Sequence, residues 1–340
     1  GDINMAASIS LKDRPYLVFV NADAMGKSMQ GAGGALVLGA VFQSTIERLR
    51  WTKELSDVFP EIWLHTTFLE LHRIFESFEG SMLISLVIGL VDEATGLMYY
   101  INAEHPSIAL YRDGEARFLD ADILRKLGTP GVKGTLKIHC FQLKPGDVIV
   151  MGSDGRDDLI LGHNADGSNI VNENENLFLE HVRNSRGDLK NILDRLEKTG
   201  EIMDDLSLLK IEFTPTEINV DYGEHTVKAD ALRQRAAELT AAEKFGEAAE
   251  AYAELYELNP EDVEICFLIA QSLRREKKIK TALQWAERAV LRDSENLKYL
   301  LQAAEINIMM KRPSKARGYI RRVLELEPQH QRAAKLQTMV

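Results

Sequence analysis

The residues best suited to chemistry are carboxylates placed at the ends of apolar runs. Asp154, Asp157 and Asp158 follow the run 148–151, Asp23 follows the β-rich run 16–20, and Asp204 with Asp205 directly precedes a third, 206–211. Pro145 and Gly146 mark the turn before residues 148–151. Gly155, behind Asp154, lets the backbone turn tightly or approach another group closely. Acids crowded at strand ends repel one another, so the arrangement is costly unless a cation sits among them. Taken singly, each group also reads as solvated acids closing a strand. Three groups in matching contexts can converge, and their hard oxygen donors suit Mg²⁺ or Mn²⁺. The sequence offers no Cys/His cluster with zinc spacing.

The elements that would position these acids are legible as periodicities. Residues 31–50 read as a helix with small residues at its start, and Pro60 separates it from a second helix over 62–75. Residues 81–90 and 97–103 form a predicted β-hairpin around the turn 92–96, and 107–111 with 116–119 form another around Asp113-Gly114. Residues 138–143 supply one further strand before 148–151. Residues 163–168 read as a loop that could act as a flap over the site, 172–176 as a solvated helix start, and 177–198 as one helix ended by Thr199-Gly200. Trp51, Trp63, Phe68 and Phe75 read as helix-packing residues. Antiparallel hairpins flanked by long helices predict a layered α+β fold.

Composition bounds the function classes. The chain has 340 residues, 45% hydrophobic and 27% charged, which is the profile of a soluble globular protein with room for two domains. Its net charge of -11 is uneven: residues 1–228 carry 22 Lys and Arg against 35 Asp and Glu. That excess argues against a nucleic-acid surface there, and no basic stripe with interleaved aromatics occurs elsewhere. The longest apolar run, 82–91, is about half of the ~20 residues that a spanning helix needs, and no signal peptide is evident. Two cysteines, Cys140 and Cys266, suit a reducing cytoplasm. The chain opens at Gly1, inside a motif, so upstream sequence, such as a sensor, is expected to precede it.

Six segments in order carry a family resemblance: Gly1-Asp2, Asp23 to Ser28, Asn102 to Pro106, Leu127 to Gly131, Lys144 to Asp158, and Asp204 to Ser207. The pattern resembles the PPM-type metal-dependent protein phosphatases, in the bacterial branch with sporulation protein E and the stress-response phosphatases of the sigma-B pathway. The resemblance covers Gly1 to about Phe213. It implies a layered β-sandwich flanked by helices over residues 1–214. It further implies two Mn²⁺ or Mg²⁺ ions bridged by Asp23, with the Ala24 carbonyl, Asp154 and Asp204 as further ligands, Asp2 holding the metal shell through water, and Asp205 in support. Lys27 would balance an anionic substrate, or is simply solvated. The family segment around His105 usually runs Asn-Ala-Gly-His, and here Glu104 replaces the glycine; His105 reads as a structural hydrogen-bonder or as a catalytic acid. The implied reaction is hydrolysis of phosphoserine or phosphothreonine in a protein by activated water. Consistent with this, no Cys-x5-Arg phosphatase loop is present. In this branch the substrate is often an anti-sigma-factor antagonist, and homodimerisation is a common switch. Two other classes stay open: a pseudophosphatase that binds without turnover, and a scaffold in which the C-terminal region is the function.

That region follows a linker over 215–228 and has a period of 34 residues: Ala236, Ala270 and Ala304; Ala248, Ala282 and Ala316; Pro260, Ser294 and Pro328. It resembles the tetratricopeptide repeat, with copies at 229–262, 263–296 and 297–330 forming an all-α solenoid, and 331–340 starting a capping helix. If the first helix of each repeat lines the concave face, as the resemblance implies, Arg233, Phe267, Gln271, Arg274, Lys298 and Glu305 face a protein partner. The alternative is an ordinary solvated surface.

Overall fold

The computed structural model describes residues 1–26, 29–119, 122–131, 136–215 and 222–340, the side chains of 53 and 222–226 aside. The chain divides into two compact units, Gly1–Gly134 with Phe141–Glu217, and Thr135–Cys140 with Ile218–Val340.

In the first unit, β1 (Asp2–Leu11), β2 (Arg14–Ala24), β3 (Ile84–Asp92) and β4 (Leu97–Ala103) form an antiparallel sheet, extended beyond β4 by the short β7 (Ile123–Leu124). The helices α1 (Met29–Trp51), α2 (Lys53–Ser56) and α3 (Pro60–Glu76) lie between β2 and β3 in sequence, and α1 and α3 pack on this sheet. A second sheet takes the order β13-β9-β5-β6, from β5 (Ala109–Arg112), β6 (Glu115–Phe118), β9 (Val148–Gly152) and β13 (Leu208–Glu212). β8 (His139–Gln142) precedes β9 in the chain.

Phe19, Val87, Val91, Met98 and Tyr100 from the first sheet meet Ile149, Met151, Ile211 and Phe213 from the second in one dry layer. Both faces of β3 and β4 are covered, which is why both strands are buried from end to end and lack a polar alternation. A second apolar layer lies behind the other sheet, where Ala109, Val148 and Val150 pack against Phe178, Val182, Ile192 and Leu196. The result is the helix-sheet-sheet-helix sandwich expected.

One local expectation holds and another needs correction. Residues 164–168 are the loop expected, and it closes a hairpin: β10 (Leu159–His163) pairs with β11 (Asn169–Val171), and β12 (Glu201–Ile202) pairs with β10 on its other side. The Asp166-Gly167 turn is real, with Gly167 at φ 83°, and the short strands around it are too polar to show alternation. Residues 177–198 are two helices, α4 (Asn176–Ser185) and α5 (Leu189–Thr199). Arg186 and Gly187 turn left-handed at φ 53° and 73°, and Asp188 caps α5 by accepting from the Asn191 N–H at 2.9 Å.

The second unit is a run of helix pairs: α6 (Tyr222–Ala241) with α7 (Phe245–Leu258), α8 (Val263–Arg275) with α9 (Ile279–Arg292), and α10 (Leu297–Met309) with α11 (Pro313–Leu326), followed by α12 (Gln331–Gln337). Helix α6 begins inside the stretch 215–228, so the linker expected there is in part helical. All six periodic alanines are fully buried, so absence of bulk is what lets the helices approach. The capping residues also keep the period: Asp262, Asn296 and His330 each accept a backbone N–H at a helix start. Between the helices of each pair stands a left-handed non-glycine residue, Glu243, Lys277 or Lys311.

Candidate active site

The acids gather because of strand phase. Asp2 lies directly opposite Asp23, Asn4 opposite Asn21 and Ala6 opposite Phe19, and Ser85 pairs with Asp23 on the other side. Directly opposed residues share a face, and so do residues two apart. Phe19 points between the sheets, so Asn21 and then Asp23 continue the same inward row toward the open end. In the second sheet, Ile149 and Met151 are followed in phase by Ser153, and Ile211 and Leu209 are preceded in phase by Ser207. At this end of the sandwich the inner rows therefore change from hydrocarbon to amide and hydroxyl, and then to carboxylate.

The strand β9 ends in a single 3-10 turn, Asp154–Arg156. Gly155 is required there by close approach: a Cβ on it would strike the Asp205 carbonyl oxygen and lie 3.2 Å from that of Asp204. That contact brings Asp154 and Asp158 toward Asp204. Beneath the turn the buried Arg156 guanidinium donates to Asp157 at 3.1 Å and lies 4.2 Å from the Phe178 ring.

The electrostatics report the crowding. Burial, then the charges of Asp23, Asp158, Asp204 and Asp2, push the Asp154 carboxyl above its ordinary value. Burial, then Asp204, does the same to Asp158. Burial also raises the Asp2 carboxyl, the Ser153 hydrogen bond opposes that rise, and Asp23 adds to it.

The fields of Asp2, Asp23 and Asp204 thus all reach Asp154 at one end of the sandwich. The four acids do not form a closed ligand set: among the described residues, no group of three or more His, Cys, Asp or Glu is placed to hold a metal ion. The donor chemistry nevertheless fits a hard divalent cation, because every candidate donor is a carboxylate or backbone oxygen. Ala24 ends β2, its carbonyl oxygen 3.0 Å from where a Cβ on Gly31 would stand. Lys27 lies outside the described residues.

Sequence reasoning passed over the polar row beneath the acids. Ser153 donates to Asp2 at 2.5 Å and receives the Ser207 N–H at 2.9 Å. Asn21, fully buried, donates to Asn4 at 2.6 Å and to Ser207 at 2.9 Å. His105 lies 2.7 Å from Asn21 and 3.0 Å from Ser85. Burial, with Arg156 and Lys126 adding to it, pushes His105 down to about 3. The available signal was position: Asn21, Ser153 and Ser207 each stand within two or three residues of an acid in the motifs.

In the repeats, Arg274 pairs with Glu305 at 2.5 Å, and Arg332 pairs with the same carboxylate. Phe267 packs against Tyr299, with ring centroids 5.4 Å apart. Gln271 lines a cleft of about 170 Å³ with Thr240, Phe245 and Arg275. Arg233 is paired to Asp262 at 2.5 Å, and Lys298 is exposed in the first turn of α10.

The sequence model of the family described as Stage II sporulation protein E (SpoIIE) matches residues 13–214. Similar solved structures include the RsbU and RsbW domains of Rv1364c from Mycobacterium tuberculosis, at 20% identity, over 75% of this chain and 70% of that one, with a TM-score of 0.46. The SiaA-PP2C domain of Pseudomonas aeruginosa is 18% identical over 62% of this chain and 80% of that one, also with a TM-score of 0.46. The Arabidopsis OM64 TPR domain is 20% identical over 34% of this chain and 94% of that one, with a TM-score of 0.32. No curated protein matches the chain. Because the SpoIIE match spans more than half of the chain, the protein belongs to the SpoIIE family.

Proposed function

We propose that the chain is a metal-dependent phosphoserine/phosphothreonine protein phosphatase of bacterial signalling whose helical repeats recruit a substrate or regulator. The supporting observation is the convergence of Asp2, Asp23, Asp154 and Asp204 from separate segments at one end of the sandwich, with burial and then the neighbouring acids raising Asp2 and Asp154. Asp23, Asp154, Asp204 and the Ala24 carbonyl would hold two Mn²⁺ or Mg²⁺ ions, with Asp2 acting through water. Such ions supply Lewis acidity toward a phosphoryl oxygen and a water of lowered pKa.

The chain's own residues set the conditions for that chemistry. The serines fix the Asp2 carboxylate, and Gly155 lets the Asp154 turn close on the 204–205 segment. Lys27, by its place in the motif, would balance the substrate's charge. The substrate class is a phosphorylated protein, with an anti-sigma-factor antagonist as the first candidate, and the setting is cytoplasmic; no described helix is long and apolar enough to cross a membrane. Residues 1–214 would act as the catalytic domain, 215–228 as connection, 229–330 as the three repeats and 331–340 as the start of the cap. On the repeats, Arg233, Phe267, Gln271, Arg274, Lys298 and Glu305 would meet the partner, and a homodimer is the expected switch.

The test is hydrolysis of a phosphoserine peptide and of p-nitrophenyl phosphate with Mn²⁺, with Mg²⁺ and with chelator, alongside Asp23→Asn and Asp154→Asn. Turnover that needs metal and falls at least a hundredfold in both variants is expected. A second reading, a pseudophosphatase or scaffold acting through binding, is favoured by the absence of a closed ligand set among the described residues. Metal binding without turnover would select it.

A further inference from the structure

Lys126 brings a positive charge to the acid end of the sandwich. Leu127 exchanges both backbone hydrogen bonds with Ile84, at 2.9 and 3.2 Å, and Ile84 stands opposite Ala24 where β3 pairs with β2. The segment that carries Lys126 is therefore laid beside the strand end that carries Asp23 and Ala24. Its side chain reaches the next residue along that strand end: Lys126 Nζ lies 3.1 Å from Met25 Sδ. Met25 is itself held there, its N–H donated to the Leu83 carbonyl at 2.9 Å, with its side chain 43% exposed. The Lys126 charge also reaches His105, which lies 3.0 Å from Ser85, the residue opposite Asp23 on β3.

An ammonium has three protons to donate, and a thioether sulfur is a weak acceptor. Among the described residues Lys126 has no ion pair, whereas its neighbour Arg125 is committed to Glu104 at 2.9 Å. The ammonium thus rests on a neutral, poorly matched acceptor beside the strand end where the candidate ligands stand. We propose that Lys126 binds the phosphoryl group of the substrate, its ammonium leaving Met25 Sδ for a phosphoryl oxygen when phosphoserine or phosphothreonine enters beside Asp23 and Ala24. The exchange is favourable because a phosphoryl dianion offers strong acceptor oxygens, and a hydrogen bond between two charged groups is about twice as strong as a neutral one. The surrounding carboxylates repel that dianion, so a cation at the rim lowers the cost of its entry. The proposal rests on the phosphatase reading above.

The test uses the full chain. Loss of a hydrogen bond to a charged group commonly costs about 10- to 100-fold in binding. With Mn²⁺, Lys126→Gln should raise KM about tenfold or more for both p-nitrophenyl phosphate and a phosphoserine peptide, with kcat kept within about threefold. Lys126→Arg, which keeps the charge, should recover most of that loss. A rise for the peptide alone places Lys126 on the flanking chain and overturns the phosphoryl contact; an unchanged KM, or a fall in kcat alone, overturns it as well. A second readout needs no turnover. In a chain labelled with ¹³C-methyl methionine, the Met25 signal, assigned by its loss in Met25→Leu, should shift when inorganic phosphate is added with Mg²⁺, and should stay in place in Lys126→Gln. A signal that moves equally in both chains, or in neither, overturns the proposal. If the parent hydrolyses neither probe, the phosphatase reading fails, and the Met25 signal then decides the Lys126 contact by itself.

Discussion

Glu104 stands in a left-handed conformation, with φ 47°. This explains why the related motif favours glycine there: a Cβ in this region costs about 1–2 kcal/mol. Its side chain recovers little, since the pair with Arg125 at 2.9 Å is partly solvated. Glu104→Gly should therefore stabilise the protein by about 0.5–1 kcal/mol, read as a higher urea midpoint at unchanged slope. The acids carry the opposite kind of strain. Because the folded state raises the Asp154 carboxyl above its unfolded value, ionisation destabilises the metal-free fold, and stability is lost as pH rises through that shifted value. Metal-free Asp154→Asn should thus melt higher than the parent at pH 7, with the difference shrinking as pH falls toward 4. A lower melting point at pH 7 would contradict the crowding argument.

At the scale of elements, the repeats show one turn built three times. Glu243, Lys277 and Lys311 sit at φ 58°, 64° and 56°, each just before a basic residue that starts the second helix of its pair. Lys277→Gly should raise the stability of the solenoid by about 0.5–1 kcal/mol in chemical denaturation, provided that removing the left-handed penalty outweighs glycine's entropy. The repeat junction is held by Arg292, which donates to the carbonyls of Pro260 and Glu261 at 2.6 and 2.8 Å. These turns were not legible in the sequence, because lysine and glutamate carry no left-handed signal. The break between α4 and α5 had one, Gly187 followed by the capping Asp188. The continuous helical periodicity on both sides outweighed it.

At the scale of the molecule, the chain has separate cores, one in the solenoid and the layered ones in the sandwich. Unfolding should show two calorimetric transitions, and saturating Mn²⁺ should raise only the one that reports the sandwich, because a ligand stabilises the unit that binds it. A shift of both by the same amount would show a single cooperative unit. The sequence by itself determined the classes of element, the 34-residue period and the three acid groups, because alternation, helical spacing and strand-end carboxylates are local properties. Which carboxylates share a face was decided only by register, with Asp2 opposite Asp23 and Ser85 beside it. The tertiary structure alone placed Asn21, Ser153, Ser207 and His105 in one row. They come from four segments, and a hydrogen bond between distant residues leaves no trace in the periodicity of either.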